Sequence, residues 1–447
     1  MPAQAADERK PQQPRLHDES LDPAPFRHVR VSQSQFIDAL RLPIEHTFEP
    51  KALDESLQLS VGDFAFLEVN EVRADPALRK EPEGGAGCSA LLEPEDLDFH
   101  RARSVVSVAG GRVGGVAIDG EYRYRAAWWL PGGHAQTLWG KFGRRTRAPS
   151  TVVERVPMPD GDAVELHSVD APQGANRLVL LHGLEGSVRS HYVRGILAAA
   201  AARGWGATLL VFRGCGSTPN AARRFYHSGE TTDLAHVMAL LRERWPDSAW
   251  HATGVSLGGN VLLKWLGESG DAAGLRAAAA ISVPFDLEAG ARCITRGFAR
   301  VYDRSFVRTL RAKALAKLAI YPDLFDRQRL LRAQTVFDFD EAVTAPVHGF
   351  ADAHDYYSKS SALGFLRRIR VLTLLLSAED DPFLPRSVLE RVEKVAVGSE
   401  FLSTEFQATG GHVGFVTGPF PWRADYYVER RAFAFFERGV VGDTAAR

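Results

Sequence analysis

Three cysteines in 447 residues are too few and too scattered for a disulfide framework. Cys88, Cys215 and Cys293 are odd in number and have no CxxC spacing, which argues against a zinc site as well. No run approaches about 18 uninterrupted apolar residues, so no membrane span is expected. The N-terminus, MPAQAADERKPQQPRLHDES, lacks both the basic leader and the apolar core that direct export. A reducing cytoplasm is the expected location. Net charge is nearly absent, with 54 Lys and Arg against 55 Asp and Glu. A general nucleic-acid binder concentrates positive charge beside a recognisable motif, and neither is present, so nucleic acid is not an expected partner.

That neutral total conceals an uneven distribution. Residues 1–100 hold 20 acidic and 10 basic side chains, and the remaining 347 hold 35 and 44. Residues 1–120 carry acidic runs such as EPEDLD and only short apolar clusters such as FAFLEV, with little sustained periodicity. They read as an acidic extension, largely disordered or loosely packed. Residues 121–447 read as one α/β domain with a mostly parallel twisted sheet.

The pattern changes near Trp128. Segment 151–169 alternates apolar and polar residues around Asp160-Gly161, the pattern of a hairpin. Strand-like runs follow at 176–183, 207–214, 249–256, 277–285 and 369–377, several separated by helical stretches of ten to fifteen residues. Alternation of this kind implies βαβ units and a parallel sheet with helices on both faces. Between about 286 and 365 the series is interrupted by an insertion where a helical cap would sit. Within it, residues 291–318 hold eight basic side chains and one acidic, with Arg292, Arg296, Arg300, Arg304 and Arg308 every fourth residue. On a single helix they would form a slowly drifting stripe, either a solvated face or a guide for anionic lipid-like substrates or a membrane surface.

The chemistry centres on Gly254-Val255-Ser256-Leu257-Gly258, a G-x-S-x-G between a short strand and the helix-like NVLLKWLG. In that setting the glycines permit a strained turn that exposes the serine hydroxyl. A hydroxyl is protonated at neutral pH and needs a base, which in turn needs a carboxylate to orient it. The order expected on such a sheet is serine, acid, histidine. The acid cluster Glu379, Asp380 and Asp381 follows the apolar run 369–377, and His412 lies in Gly410-Gly411-His412-Val413-Gly414. Related folds place the acid four residues before a proline, which favours Asp381, before Pro385, over Asp380. The oxyanion donors are expected to be the backbone N–H of Leu257 and one from His182-Gly183-Leu184-Glu185-Gly186, with Leu184 the candidate.

The motifs PGGHAQTLWG (131–140), LLHGLEGS (180–187), FRGCGSTPN (212–220), GVSLGGN (254–260), AEDDPFLP (378–385) and GGHVGF (410–415) together resemble the YheT-like branch of the α/β-hydrolase superfamily. The resemblance runs from about Trp128 to the C-terminus. It implies Ser256, Asp381 and His412 as a triad and a serine esterase or lipase-type activity on short- to medium-chain acyl esters or lipid-like esters, without a cofactor. Thioesters, amides or phospholipids would suit the same triad, and a non-catalytic lipid-binding module is the alternative outside enzymes. The PGGHAQT loop, with His134, reads as structural or substrate-lining. Cys215 reads as a buried free thiol.

Overall fold

The computed structural model describes residues 112–113, 116–117 and 123–444, with side chains from 123 to 438. The acidic extension expected over 1–120 lies outside the described residues, apart from two short antiparallel strands, β1 (Arg112–Val113) and β2 (Val116–Ala117).

The centre of the fold is an eight-stranded sheet. In chain order its strands are β3 (Val152–Pro157), β4 (Ala163–Val169), β5 (Arg177–Leu181), β6 (Gly206–Val211), β7 (Trp250–Val255), β8 (Ala277–Ile281), β9 (Leu372–Ala378) and β10 (Leu402–Gln407). Across the sheet the order is β10-β9-β8-β7-β5-β6-β4-β3. Strands β6 to β10 and β5 run parallel, whereas β4 pairs antiparallel with both β3 and β6. The hairpin closes through Asp160-Gly161, with Gly161 at φ 79°.

Every residue of β5, β6, β7 and β8 is buried, so these strands read as continuous apolar runs, as a sheet covered on both faces requires. Alternate side chains still go to opposite faces. Leu178 and Leu180 join a cluster with Ile196, Leu197, Phe433 and Phe436 from helices His191–Ala201 and Tyr427–Thr444. Val179 and Leu181 join the other cluster, with Val237, Leu262 and Val392 from helices Thr232–Arg244, Leu257–Ser269 and Arg386–Ala396. Removing a fully buried leucine from either layer, such as Leu180, costs about 2–5 kcal/mol.

Between β8 and β9 the chain forms a helical insertion led by Leu287–Ile294 and Arg300–Ile320. Asp286 caps the first helix, its side chain accepting the Ala289 N–H at 3.0 Å. The basic run expected along one helical side is divided instead. The first helix stops at Thr295, Gly297 takes φ 51°, and the long helix starts at Arg300. A left-handed glycine breaks the helical path, so Arg300, Arg304 and Arg308 share a helix while Arg292 pairs with Glu288 at 2.6 Å. Among the described residues no helix is long and apolar enough to cross a membrane.

Candidate active site

Ser256 stands between β7 and helix Leu257–Ser269 with φ 54° and ψ −122°. For a residue with a side chain such a backbone costs of order 1–3 kcal/mol and persists only where neighbours hold it. Here the Ser256 N–H donates to the Ile281 carbonyl at 2.8 Å, and the Gly259 and Asn260 N–H groups donate to the Ser256 carbonyl at 2.9 and 3.1 Å. A Cβ on Gly258 would lie 2.5 Å from the His182 carbonyl oxygen and 2.6 Å from that of Leu181. Main chain cannot yield as a side chain can, so the last glycine of G-x-S-x-G is what lets the turn sit against β5.

The structure brings three of the expected side chains together. His412 Nε2 lies 2.9 Å from Ser256 Oγ, and its Nδ1 lies 2.9 Å from Asp381 Oδ2. The other Asp381 oxygen accepts the Phe383 N–H at 2.8 Å, and the carboxylate is buried. Asp380 has a different place: its Oδ1 accepts the Gly411 N–H at 2.8 Å. Burial raises the Asp380 carboxyl above its ordinary pKa. Two adjacent carboxyls thus divide, one facing the imidazole and the other the main chain beside it.

PGGHAQT contributes more than its sequence suggests. Its helix, Gly132–Phe142, presents Thr137, whose hydroxyl accepts the His412 N–H at 2.8 Å and donates to the Gly133 carbonyl at 2.7 Å. Gln136 Oε1 accepts the Val416 N–H at 2.8 Å. A Cβ on Gly133 would collide with the Asp380 carbonyl, and one on Gly411 with the Gly133 carbonyl. Ser282, just past β8, accepts the Val413 N–H at 3.0 Å. Sequence reasoning read the PGGHAQT loop as structural or substrate-lining and gave Ser282 no role, because the partners at the His412 loop lie more than a hundred residues away. His134 instead faces the insertion, with its Nδ1 3.3 Å from the Tyr302 hydroxyl.

The loop after β5 is held as tightly. Phe212 N–H donates to His182 Nε2 at 3.1 Å, so the proton sits on Nδ1, which donates to the Gly183 carbonyl at 2.7 Å. Burial pushes the His182 pKa down to about 4, keeping that tautomer neutral. The Gly183 N–H goes to the Tyr192 hydroxyl at 2.8 Å and the Glu185 N–H to the Tyr226 hydroxyl at 2.9 Å, with Leu184 between them. Glu185 adopts φ 57°. Its carboxylate accepts from Tyr226 Oη at 2.9 Å and from Lys313 Nζ of helix Arg300–Ile320 at 2.8 Å. Leu257 opens its helix, where the first N–H groups have no acceptor within the helix.

With this geometry established, the alpha/beta hydrolase fold family profile matches residues 176–419, more than half of the chain. The chain belongs to the alpha/beta hydrolase fold family. YheT of Escherichia coli K12, which carries an esterase name, is 40% identical over 290 residues, covering 64% of this chain and 84% of that protein. Monoacylglycerol lipase of Saccharomyces cerevisiae is 30% identical over 263 residues, covering 57% of each chain. Embryogenesis-associated protein EMB8 of Picea glauca is 29% identical over 310 residues, covering 65% of this chain and 67% of that one.

In this alpha/beta hydrolase, Ser256, His412, Leu184 and Leu257 all line one cavity of about 290 Å³. Its other walls are mainly apolar, from Leu287, Ile294, Phe306 and Phe383 among others. Phe383 lies over the imidazole of His412, with ring centroids 4.2 Å apart. Cys215 and Cys293 are free thiols. Burial pushes the Cys215 thiol up to about 11, so it is protonated and unreactive near neutral pH. Among the described residues no cluster of His, Cys, Asp and Glu is arranged to hold a metal ion.

Proposed function

We propose that the chain hydrolyses carboxylic esters by acyl transfer through a Ser256, His412 and Asp381 triad. Ester hydrolysis follows from its family and from its esterase- and lipase-named relatives. The observation that carries the triad is the continuous line of contacts, 2.9 Å from hydroxyl to imidazole and 2.9 Å from imidazole to carboxylate.

In the reaction His412 Nε2 takes the Ser256 proton as Oγ attacks the ester carbonyl carbon. The carbonyl electron pair moves onto oxygen, and the N–H groups of Leu184 and Leu257 hold the resulting oxyanion. As the carbonyl re-forms, the alcohol leaves with the proton from His412. Water then repeats the attack on the acyl-enzyme, giving up its proton to His412, and Ser256 regains a proton as the acid departs. Asp381 keeps the Nδ1 proton in place and stabilises the imidazolium. The substrates are short- to medium-chain acyl esters or lipid-like esters, which suit the mainly apolar cavity.

Ser256→Ala is expected to lower ester turnover by about five to six orders of magnitude and to abolish labelling by a fluorophosphonate, with little change in Tm. Undiminished turnover in that variant would end the reading.

The exposed Arg296, Arg300 and Arg304, beside Phe298 at 43% exposure, also favour contact between the insertion and an anionic membrane surface. Co-sedimentation with phosphatidylglycerol vesicles that weakens with salt is expected. Equal sedimentation with phosphatidylcholine vesicles would reject it.

A further inference from the structure

A second cavity, of about 270 Å³, adjoins the first but touches neither Ser256 nor His412. The two share Leu184 and Leu257, the residues assigned to the oxyanion, together with Ser228, Val336 and Asp340. Resting on the triad reading above, we infer that the second cavity binds the acyl chain of the ester and that the first holds its alcohol.

Tetrahedral chemistry separates the two halves of the substrate. The leaving oxygen must receive its proton from His412, so the alcohol has to lie where His412 forms a wall, and only the first cavity offers that. The oxyanion points toward the Leu184 and Leu257 amides. The remaining substituent of the reacting carbon is the acyl chain. Its way past the oxyanion side leads across Leu184 and Leu257 into the second cavity.

The lining fits an uncharged chain. Phe225, Leu310, Ala316, Ile320 and Phe339 supply apolar wall. The cations that reach the cavity are already engaged. Lys317 donates to the Asn220 carbonyl, Asn220 Oδ1 and the Ala222 carbonyl at 2.7, 2.9 and 2.8 Å. Arg213 is paired with Asp233 and Asp162 at 2.6 and 2.8 Å, and Lys313 with Glu185 at 2.8 Å. Arg213 and Lys313 thus meet carboxylates and Lys317 meets three neutral oxygens, so none of these three cations lacks a hydrogen-bond partner.

One helix divides the work. In Arg300–Ile320, Tyr302, Ser305 and Phe306 line the first cavity, whereas Leu310, Ala316 and Ile320 line the second. At about 1.5 Å per residue, the stretch from Leu310 to Ile320 offers a wall about 15 Å long.

The test uses the full-length protein and two ester series. Acyl length is varied from acetate to decanoate on nitrophenol, and the alcohol is varied from ethanol to naphthol on acetate. Ala316→Trp, at an exposed rim position, is expected to lower the decanoate-to-acetate ratio of kcat/KM at least tenfold while the naphthyl-to-ethyl ratio stays within twofold of the unaltered protein's. Ser305→Trp is expected to do the reverse. Ile320→Trp repeats the first arm should Ala316→Trp not fold. Exchanged effects, or an unaltered acyl ratio in a folded variant, would overturn the inference. Fluorophosphonate labelling of Ser256 in the same samples separates the outcomes: labelling that persists leaves the triad standing while the pocket assignment falls, and no labelling of the unaltered protein removes both.

Discussion

The hydroxyl of Thr137 accepts the backbone N–H of His412 at 2.8 Å across 275 positions of sequence. Because the same hydroxyl donates to the Gly133 carbonyl, its orientation is fixed, and the imidazole loop hangs from a helix on the far side of the chain. Thr137→Val keeps the shape and removes both bonds. Leaving a partly buried N–H unmet costs about 1–3 kcal/mol, and kcat is expected to fall about tenfold to a hundredfold with KM nearly constant. Thr137→Ser should restore most of the rate; steady-state kinetics on a nitrophenyl ester read both.

The neighbouring carboxyls predict different losses. Asp381→Asn is expected to lower kcat by about four orders of magnitude, because the amide no longer enforces the tautomer that serine activation needs. Asp380→Asn retains an oxygen that can accept the Gly411 N–H, and its loss is expected to stay below about tenfold. Equal losses in the two variants would show that Asp380 shares the imidazole.

Lys313 ties the insertion, through Glu185, to the loop after β5 that is proposed to hold the oxyanion. Lys313→Met is expected to lower kcat about tenfold and to weaken a boronate, which mimics the tetrahedral adduct, by a similar factor, since one misaligned donor of this kind can cost up to about 3 kcal/mol. Lys313→Arg should recover part of the loss. An effect on KM alone would mean the pair acts only on substrate access.

Acid should destabilise the fold between pH 6.5 and about 4. Burial lowers His182, His251 and His348 from 6.5 to about 4 each, so the unfolded chain binds more protons in that window. Their contribution is complete above pH 6.5 and is lost as pH falls through about 4. Asp340 opposes them, because burial raises its carboxyl to about 6 and the folded chain holds that proton more tightly. Burial raises the Asp303 and Asp380 carboxyls as well, but it also lowers His134, His191 and His227, so six imidazoles against three carboxyls set the net direction, and Tm measured from pH 7 to pH 4 should fall.

His251 also has no hydrogen-bond partner for either ring nitrogen among the described residues, while its ring lies 4.8 Å from that of Trp205 and 5.0 Å from that of Phe436. An unmet buried polar group costs about 1–3 kcal/mol. His251→Leu is expected to raise Tm by a few degrees at pH 7, and by more at pH 5, in differential scanning calorimetry.

Much of this architecture was legible locally. The strands of the parallel core are short apolar runs, and Ser256, the acid cluster and His412 each sit in a pattern confined to a few residues. What could not be read depends on distant partners. The spacing to Pro385 favoured Asp381 over Asp380, but the contact of Asp380 with the Gly411 N–H depends on a loop thirty-one residues away. The roles of Thr137, Gln136 and Ser282 exist only once remote loops meet. The arginine spacing was regular, but Gly297 broke the helix that would have made one stripe of it. The pair of adjoining cavities has no local signature, since each draws its walls from many segments.

At Gly133, Gly411 and Gly258 the nearest obstacle to a side chain is in each case a main-chain carbonyl oxygen. Alignment of the reacting groups is therefore inherited from the path of the polypeptide itself. Directed evolution could rewrite the apolar walls around Ser256 extensively and redirect the enzyme to new esters, provided those three residues stay without a side chain.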